Sequence, residues 1–304
     1  MYARSSTYVD NQGDLNAMDK WQQLWLLNFN TVDEKCKVMY VGRNNPQHQY
    51  YLGGSLLPTV SNEKDLGVTT TTTMKWNEHI GNCIKKANSC VAWITRTIIS
   101  RNQCVMLNLY KSLVRPHLEY CVQLWAPQPS HGNWRIIMDI EGVQRRYTRL
   151  IDGIGTLTYE ERLKKLSLTT LLERRARGDL IETFKIVNGF CNYGEQFFRR
   201  SHRGNNLIIP PVTGPISSTK AHFFSRRVVK YWNKLPSSVQ SSISVDSFKS
   251  KLEIYKKNNI RSAGNYWDLS REIFNRIPNE NRSDQIKFLK ENPFVARRKG
   301  INLR

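Results

Sequence analysis

The sequence predicts a mainly α protein with a small antiparallel β element near its N-terminus. After Trp76, apolar residues recur at the three- and four-residue spacing of helices. Capping-box sequences that begin at Thr158 and Thr170 mark two helix starts, and β-branched alternation is confined to residues 36–68. A chain of 304 residues with 39% hydrophobic content can bury a substantial core.

The chain is strongly basic, with 46 Lys and Arg against 25 Asp and Glu and a formal charge of +21. The excess is uneven: residues 1–70 carry 6 basic and 7 acidic side chains, 71–200 carry 20 and 11, 201–260 carry 10 and 2, and 261–304 carry 10 and 5. Solubility does not require so large a charge, so the composition favours a polyanionic partner, nucleic acid first.

The sequence also predicts a compartment. It contains no run of about 18 uncharged apolar residues and no signal-peptide pattern, which predicts an intracellular protein, nuclear or cytoplasmic, without a membrane partner. Six cysteines stand far apart in apolar surroundings with no Cys-x-x-Cys. In a reducing compartment this predicts buried free thiols rather than disulfides or zinc ligands.

The N-terminal part predicts one helix and a small sheet. Residues 14–29 form an amphipathic helical pattern with its apolar stripe at Leu15, Met18, Trp21, Trp25 and Leu26. Segments 36–42 and 50–60 predict strands, with Gly53-Gly54 suited to a hairpin turn, and another short apolar stretch follows at 66–68. The threonine tract 69–73 predicts a strand edge or a loop.

The rest of the chain predicts helices. In the first, Ile80, Ile84, Ala87, Val91, Ile94 and Ile98 form a stripe opposite Lys85, Ser89 and Arg96. In the second, over 102–114, the predicted inward residues are Met106, Leu109, Tyr110 and Leu113, and Pro116 is expected to end or kink it. Further helices are predicted at 135–151, 158–166, 170–188, 223–235, 245–257, 269–276 and 283–290, with a long loop at 194–218.

Several ordered motifs carry a family resemblance. They are DKWQQLWLLNFN (19–30), KCKVMYVGR (35–43), EKDLGV (63–68), HIGNCIKKAN (79–88), LYKSLVRPHLEYCVQLWAP (109–127), IEGVQRRYTRLI (140–151), LTYEERLKKLSLTTLLERRARGDLIETFKIVNG (157–189) and FFSRRVVKYWNKLP (223–236). In this order they resemble the C-terminal half of the reverse transcriptase of jockey-like non-LTR retrotransposons. The resemblance spans about residues 14–257.

The resemblance implies four segments: a palm-end remnant with a β-hairpin (1–75), a thumb-like helical region (76–193), a loop with connection helices (194–260) and an unassigned basic appendage (261–304). It further implies that Asp65, Leu66 and Gly67 belong to strands resembling those that hold the primer terminus. A thumb grips the duplex of template and primer, so the implied nucleic-acid contacts are Lys85, Lys86, Arg96, Lys111, Arg115, Arg145, Arg146 and Arg149.

Polymerases of this family hold two metal ions with aspartates, including a Tyr-Ala-Asp-Asp turn. In this chain Tyr2-Ala3 is followed by Arg4-Ser5, and by position the family's turn would fall a few residues before Met1. We therefore expect the chain by itself to be inactive as an RNA-directed DNA polymerase. We also expect no catalytic residue, no cofactor and no magnesium at such a site.

Other candidate groups have simpler interpretations. Aromatic residues that could stack on bases are expected in the core at their helical spacing: Trp93, Tyr120, Trp125, Tyr147 and Trp232. His79 with Cys83, and His117 with Cys121, have a ligand spacing but no recognisable partner set for zinc. The carboxylate pairs Glu160/Glu161 and Asp179/Glu182 are expected to be cap or surface ion-pair residues.

The sequence therefore favours a truncated retroelement polymerase that lacks the catalytic aspartates and binds duplex or RNA/DNA hybrid without sequence specificity. Two alternatives stay open. The chain can be a non-catalytic scaffold that binds protein partners, or a retroelement remnant without a function.

Overall fold

The computed structural model describes residues 7–31, 35–42, 45–129, 133–191, 197–200, 207–208, 223–259 and 268–277. The protein is mainly α, as predicted. Its helices are α1 (Thr7–Trp25), α2 (Asn77–Thr97), α3 (Gln103–Leu109), α4 (Arg115–Glu119), α5 (Val122–Trp125), α6 (Trp134–Arg149), α7 (Tyr159–Lys165), α8 (Leu171–Val187), α9 (Phe224–Trp232), α10 (Ser237–Gln240), α11 (Val245–Asn258) and α12 (Asp268–Arg276). A π-helical turn, Tyr110–Val114, joins α3 to α4.

Strands are short. The described residues contain three two-stranded antiparallel pairs: β1 (Tyr51–Leu52) with β2 (Ser55–Leu56), β3 (Asn62–Asp65) with β4 (Val68–Thr71), and β5 (Arg199–Arg200) with β6 (Leu207–Ile208). The chain divides into two compact units, Met1–His79 and Ile80–Arg304. The sequence-based division places its first boundary at residue 75.

The first unit contains α1 and two hairpins. Gly53 and Gly54 turn the first hairpin at φ of 56° and 77°, a backbone region that glycine enters without steric cost. The amide side chain of Gln12 in α1 bonds both backbone groups of Tyr51, at 2.9 Å to its oxygen and 3.0 Å to its nitrogen. A helix side chain thus replaces a missing strand neighbour of β1.

Two predictions for the first unit are wrong. Residues 36–42 do not form a strand, because only Val38 pairs, in a parallel bridge to Thr59. The helix predicted at 14–29 is observed at Thr7–Trp25 instead. It ends before Leu26, which takes a φ of 55°, and Leu27 N donates to Gln22 O at 3.0 Å.

The apolar residues of α1 are also more exposed to solvent than is usual for an amphipathic helix that packs against a core. Its large side chains are 45% exposed or more at Met18, Trp21, Trp25 and Leu26.

The second unit holds the main cores. α8, α9 and α11 enclose a cluster of buried residues: Leu180, Phe184, Ile186, Phe198, Phe224, Val228, Trp232, Leu235, Val239, Phe248 and Leu252. The Phe248 ring stacks on the rings of Phe184 and Trp232, with 4.4 Å and 5.9 Å between ring centroids. The helices predicted around 223–235 and 245–257 are confirmed, and their apolar faces meet in this core.

The joint after α3 differs from the prediction. Pro116 lies in the first turn of α4 and does not end the helical path, because the π-helical turn before it provides an Arg115 N to Tyr110 O bond. The path ends where Tyr120 is extended and Cys121 takes φ of 54°. Leu113, predicted inward, is 38% exposed.

The C-terminal predictions have mixed outcomes. The helix predicted at 269–276 is confirmed as α12, and it packs against other helices of the second unit: Ile273 is fully buried and the Phe274 ring meets the Tyr159 ring edge-on, with 6.1 Å between ring centroids. Within the loop predicted at 194–218, the described residues include β5 and β6. The helix predicted at 283–290 lies outside the described residues.

Candidate nucleic-acid interface

α2 separates its apolar and basic residues. Ile80, Ala87 and Ile94 are buried at helical spacing, as predicted. The opposite side exposes Lys85, Lys86, Trp93 and Arg96, which we call the α2 basic face. Within the described part of the chain none of its three cations forms an ion pair, and residues 79–118 contain no Asp or Glu at all.

α6 adds a fourth cation to this surface. Arg146 is exposed, and its guanidinium donates to the side-chain oxygen of Asn88 on α2 at 3.0 Å. Asn88 lies one helical turn from Lys85, so Arg146 reaches the flank of the α2 basic face. Gly142 lies under the Arg146 side chain, since a Cβ built on it would come within 3.2 Å of a guanidinium nitrogen.

The other predicted cations are placed differently. Lys111 is exposed on the π-helical turn. Arg115 pairs with Glu119 at 3.5 Å, and the same carboxylate also binds Arg174 of α8. Arg145 and Arg149 are half-buried. The structure thus brings together Lys85, Lys86, Arg96 and Arg146, while Arg115 has an internal carboxylate partner.

A buried polar network lies between the π-helical turn, α6, α7 and α8, and sequence reasoning missed it. Tyr110 donates to Gln144 at 2.6 Å, and Gln144 donates to the Tyr159 hydroxyl at 2.7 Å and to Thr169 O at 3.0 Å. The Glu141 carboxylate accepts from Tyr159 and from the backbone nitrogen of Leu171 at the start of α8. Its signal in the sequence was Glu141 and Gln144 on the apolar side of α6.

Burial controls the titration of this network. It raises the pKa of the Glu141 carboxyl above its ordinary value, although the hydrogen bond from Tyr159 opposes the shift. Burial, and then the charge of Glu141, also raise the pKa of Tyr110 and Tyr159 well above the ordinary phenol value. Burial lowers the pKa of Arg175, and the nearby Glu141 carboxylate opposes that change.

Two carboxylates predicted at caps or on the surface are buried instead. Asp179 binds the Arg227 guanidinium through both oxygens, at 2.7 and 2.9 Å, and both side chains are buried. Thr170 caps α8 as predicted, accepting from Glu173 N at 3.2 Å. The Glu173 carboxylate, however, binds Lys256 and Ser270 rather than completing a capping box. The complete box forms at Thr158 and Glu161.

The remaining pairs are simpler. Glu160 pairs with Lys164 at 2.9 Å and Glu182 with Lys185 at 3.1 Å, both on helix surfaces as predicted.

The prediction that all five candidate aromatics lie in the core is wrong for two of them. Trp125, Tyr147 and Trp232 are buried, whereas Trp93 is 49% and Tyr120 57% exposed.

No group of three or more His, Cys, Asp or Glu side chains in the described ranges is placed to hold a metal ion. His79 is buried and accepts from Thr69 N at 3.1 Å, so its imidazole has a structural role. None of the six cysteines forms a disulfide, as predicted, but none is buried, and Cys104 and Cys121 are exposed.

Asp65, Leu66 and Gly67 belong to the first unit. They form the turn of the β3–β4 hairpin, where Asp65 pairs with Val68 and Leu66 and Gly67 take φ of 44° and 85°. Leu66 is 83% exposed at the tip. A leucine with positive φ and an exposed side chain is uncommon, and this places an apolar group where a ligand can reach it.

No protein-family model, curated protein or solved structure matches this chain at a significant level. Among the helices that the structure describes, none combines the length and apolar character needed to cross a membrane.

Proposed function

We propose that this chain is a relative of the C-terminal half of the non-LTR retrotransposon reverse transcriptases and that it binds duplex or RNA/DNA hybrid without sequence specificity. The family proposal depends on the ordered motifs of residues 14–257. The binding proposal depends on one arrangement: Arg146 of α6 meets Asn88 of α2 and extends the α2 basic face to four cations.

The chemistry of that surface suits phosphates. Four cations on one surface release the counterions of a polyphosphate on contact, which makes binding favourable and dependent on salt. The surface offers flexible ammonium groups and few fixed hydrogen-bonding groups for base edges, so the expected contacts go to the backbone rather than to sequence. The exposed indole of Trp93 adds an apolar contact for sugars or bases.

The proposal assigns no catalysis to this chain alone. Two-metal phosphoryl transfer requires carboxylates that hold the ions, and Tyr2-Ala3 is followed here by Arg4-Ser5 rather than by two aspartates. The β3–β4 turn, with Asp65, Leu66 and Gly67, is the proposed primer contact. Extension of an annealed primer by the purified chain with magnesium would contradict this part of the proposal.

Binding can be measured by titrating a labelled RNA/DNA hybrid at several salt concentrations. The test variant is Lys85→Gln/Lys86→Gln/Arg96→Gln/Arg146→Gln. Each lost phosphate contact is expected to reduce the slope of log affinity against log salt by about 0.9, so the slope should fall by about 3 to 4. Affinity at low salt should fall more than about tenfold.

A matched control removes the same charge elsewhere. Lys164, Lys165, Lys251 and Lys257 are surface lysines of other helices, and their replacement by Gln should leave most of the affinity. If the two variants bind equally well, only net charge matters and the proposed surface is wrong. Equal affinity of the unaltered chain for heparin and for hybrid would also contradict it.

A second candidate function, protein binding, is favoured by α1. Next to Trp21 and Trp25, which are 48% and 61% exposed, Leu24 and Leu27 are 77% and 58% exposed. Contiguous apolar surface of this kind is typical of interaction sites. A Trp21→Ser/Trp25→Ser variant that keeps its nucleic-acid affinity but loses photo-crosslinks formed from position 24 would support this function. Unchanged crosslinks would exclude this face.

A further inference from the structure

One face of α1 carries two kinds of chemistry in a single line. Asp10, Asp14, Met18, Trp21 and Trp25 follow one another at intervals of four, four, three and four residues, which places them on one side of the helix. All five are exposed, and we call them the α1 outer face. The line is about 22 Å long, since each helical residue adds about 1.5 Å along the axis.

The other side of α1 is used by the fold. The Asn11 amide donates to the Tyr50 hydroxyl at 3.3 Å, and the Gln12 side chain bonds both backbone groups of Tyr51. Leu15 on this side is half-buried. These contacts with the first hairpin fix the rotation of the helix about its axis, so the α1 outer face is directed away from the hairpin.

The C-terminal half of the α1 outer face is apolar. The centroids of the Trp21 and Trp25 rings are 6.5 Å apart, and Leu24 beside them is 77% exposed. Tryptophan is among the side chains that most often anchor protein interfaces. This half therefore offers two neighbouring anchors for the apolar side chains of a partner.

The N-terminal half of the α1 outer face is acidic. Asp10 and Asp14 lie one helical turn apart, and among the described residues neither forms an ion pair. The single cation of α1, Lys20, lies on a different side, because it is about 100° around the axis from Trp21. In a chain with a formal charge of +21, this face is acidic at one end and apolar at the other.

We infer that the α1 outer face binds a basic amphipathic helix of a protein partner in the antiparallel direction. Apolar side chains of the partner pack on Trp21 and Trp25, and Lys or Arg in its last two turns pair with Asp10 and Asp14. An antiparallel partner brings its C-terminal end to this acidic half, and cations are favoured at the C-terminal end of a helix. The inference rests on the protein-binding candidate for α1 and gives it a partner of defined chemistry.

The charges of α1 disfavour other occupants. In a parallel pair of two copies the carboxylates of Asp10 and Asp14 would face each other, and in an antiparallel pair they would face the indoles of Trp21 and Trp25. Nucleic acid would meet two carboxylates. Helices that lie on anionic membranes carry cations on their polar side, whereas α1 has three aspartates and one lysine.

The first test compares three labelled helical peptides of about eighteen residues, which matches the length of the face. All have leucines at heptad spacing. One has lysines in its last two turns, the second has glutamates at those positions, and the third has the lysines in its first two turns. Fluorescence anisotropy should show the first binding at least about fivefold more tightly than either of the others, because several exposed ion pairs add small contributions.

The apolar contact is tested by Trp21→Ser/Trp25→Ser, which should lower the affinity for the first peptide at least about tenfold. Trp21→Phe/Trp25→Phe should keep most of it, because phenylalanine keeps an aromatic ring at each anchor. The control Phe223→Ser removes a ring that is 48% exposed, as Trp21 is, from another surface and should leave the affinity unchanged. Thermal melting of each variant verifies that the fold is kept.

The acidic contact is tested by Asp10→Asn/Asp14→Asn. The affinity for the first peptide should fall about fivefold at low salt and lose most of its salt dependence, because exposed ion pairs are screened by salt. The matched control, Asp152→Asn/Asp246→Asn, removes two exposed carboxylates of the second unit and should retain both the affinity and its salt dependence.

Three outcomes overturn the inference: equal affinity for the first peptide and either of the others, serine at Trp21 and Trp25 without effect, or a dimer that the serine variant dissociates while the first peptide does not bind. Equal affinity for the basic and acidic peptides, together with loss of the crosslinks from position 24, would keep the protein-binding candidate and reject the basic partner. The duplex proposal is judged separately by the α2 and α6 variant.

Discussion

α2 and α8 both carry several cations, but the surroundings of these cations differ between the two helices. α8 carries ERRARGD, and its Arg174 and Asp179 bind carboxylate or guanidinium partners on α4 and α9. Arg175 is buried there with Glu141, Glu119 and Asp179 nearby. α2 instead exposes Lys85, Lys86 and Arg96. Basic side chains are thus bound inside the protein in one helix and face solvent in the other.

The largest expected effect is on α8. Asp179→Asn leaves the buried Arg227 guanidinium beside a neutral amide and should lower the free energy of unfolding by about 3–5 kcal/mol. Chemical denaturation measures it. The double variant Asp179→Leu/Arg227→Met should recover most of the loss, because it removes both buried charges. Replacing the more exposed pair, Arg177 and Glu253, by Gln should cost less than about 1 kcal/mol.

A loss below about 1 kcal/mol in Asp179→Asn would remove the difference drawn between the two helices.

The next effect is a pH dependence at the start of α8. Because burial raises the pKa of Glu141 in the folded state, that state holds the proton more tightly than the unfolded chain. The contribution of Glu141 to stability therefore falls as pH rises from its unfolded pKa through its folded pKa. Glu141→Gln should gain stability relative to the unaltered protein as pH rises from about 4, the ordinary pKa of a glutamate.

Denaturation curves from that pH upwards test this, with Glu160→Gln on the exposed side of α7 as the control. A difference between Glu141→Gln and the unaltered protein that stays constant with pH would show that Glu141 does not titrate in a buried site.

A smaller effect is expected at the cap of α8. Thr170→Ala removes the acceptor of Glu173 N and a 2.8 Å contact with the Ser270 hydroxyl of α12. The expected cost is about 1 kcal/mol. Thr170→Ser keeps a hydroxyl acceptor at the cap and should cost less, so an equal loss in both variants would contradict the assignment of the effect to the cap.

The smallest effect should be on α2. Lys85→Gln/Lys86→Gln/Arg96→Gln should change the free energy of unfolding by less than about 0.5 kcal/mol, because these side chains make no ion pair within the described residues. A larger loss by thermal or chemical denaturation would mean that these side chains stabilise the fold. It would count against the α2 basic face as a surface kept for binding.

Sequence reasoning succeeded where a local rule decides. The spacing of Ile80, Ala87 and Ile94 identified the buried side of α2, and Thr158 with Glu161 marked the start of α7 correctly. It failed for Asp179, which looked like a surface residue, and for Trp93, which looked like a core residue. Asp179 is buried because it meets Arg227, which lies 48 residues away in the sequence. Trp93 is exposed because its side of α2 faces solvent.

By itself, the sequence determined the helical class, the excess of positive charge and the caps that begin α7 and α8, because each follows from residues a few positions apart. Only the tertiary structure decided which cations are bound internally and which remain open to solvent. The reason is that a charged side chain is stabilised by whatever partner folding brings within a few ångströms. Arg227 thereby gains Asp179, while Lys85 and Lys86 gain no carboxylate among the described residues.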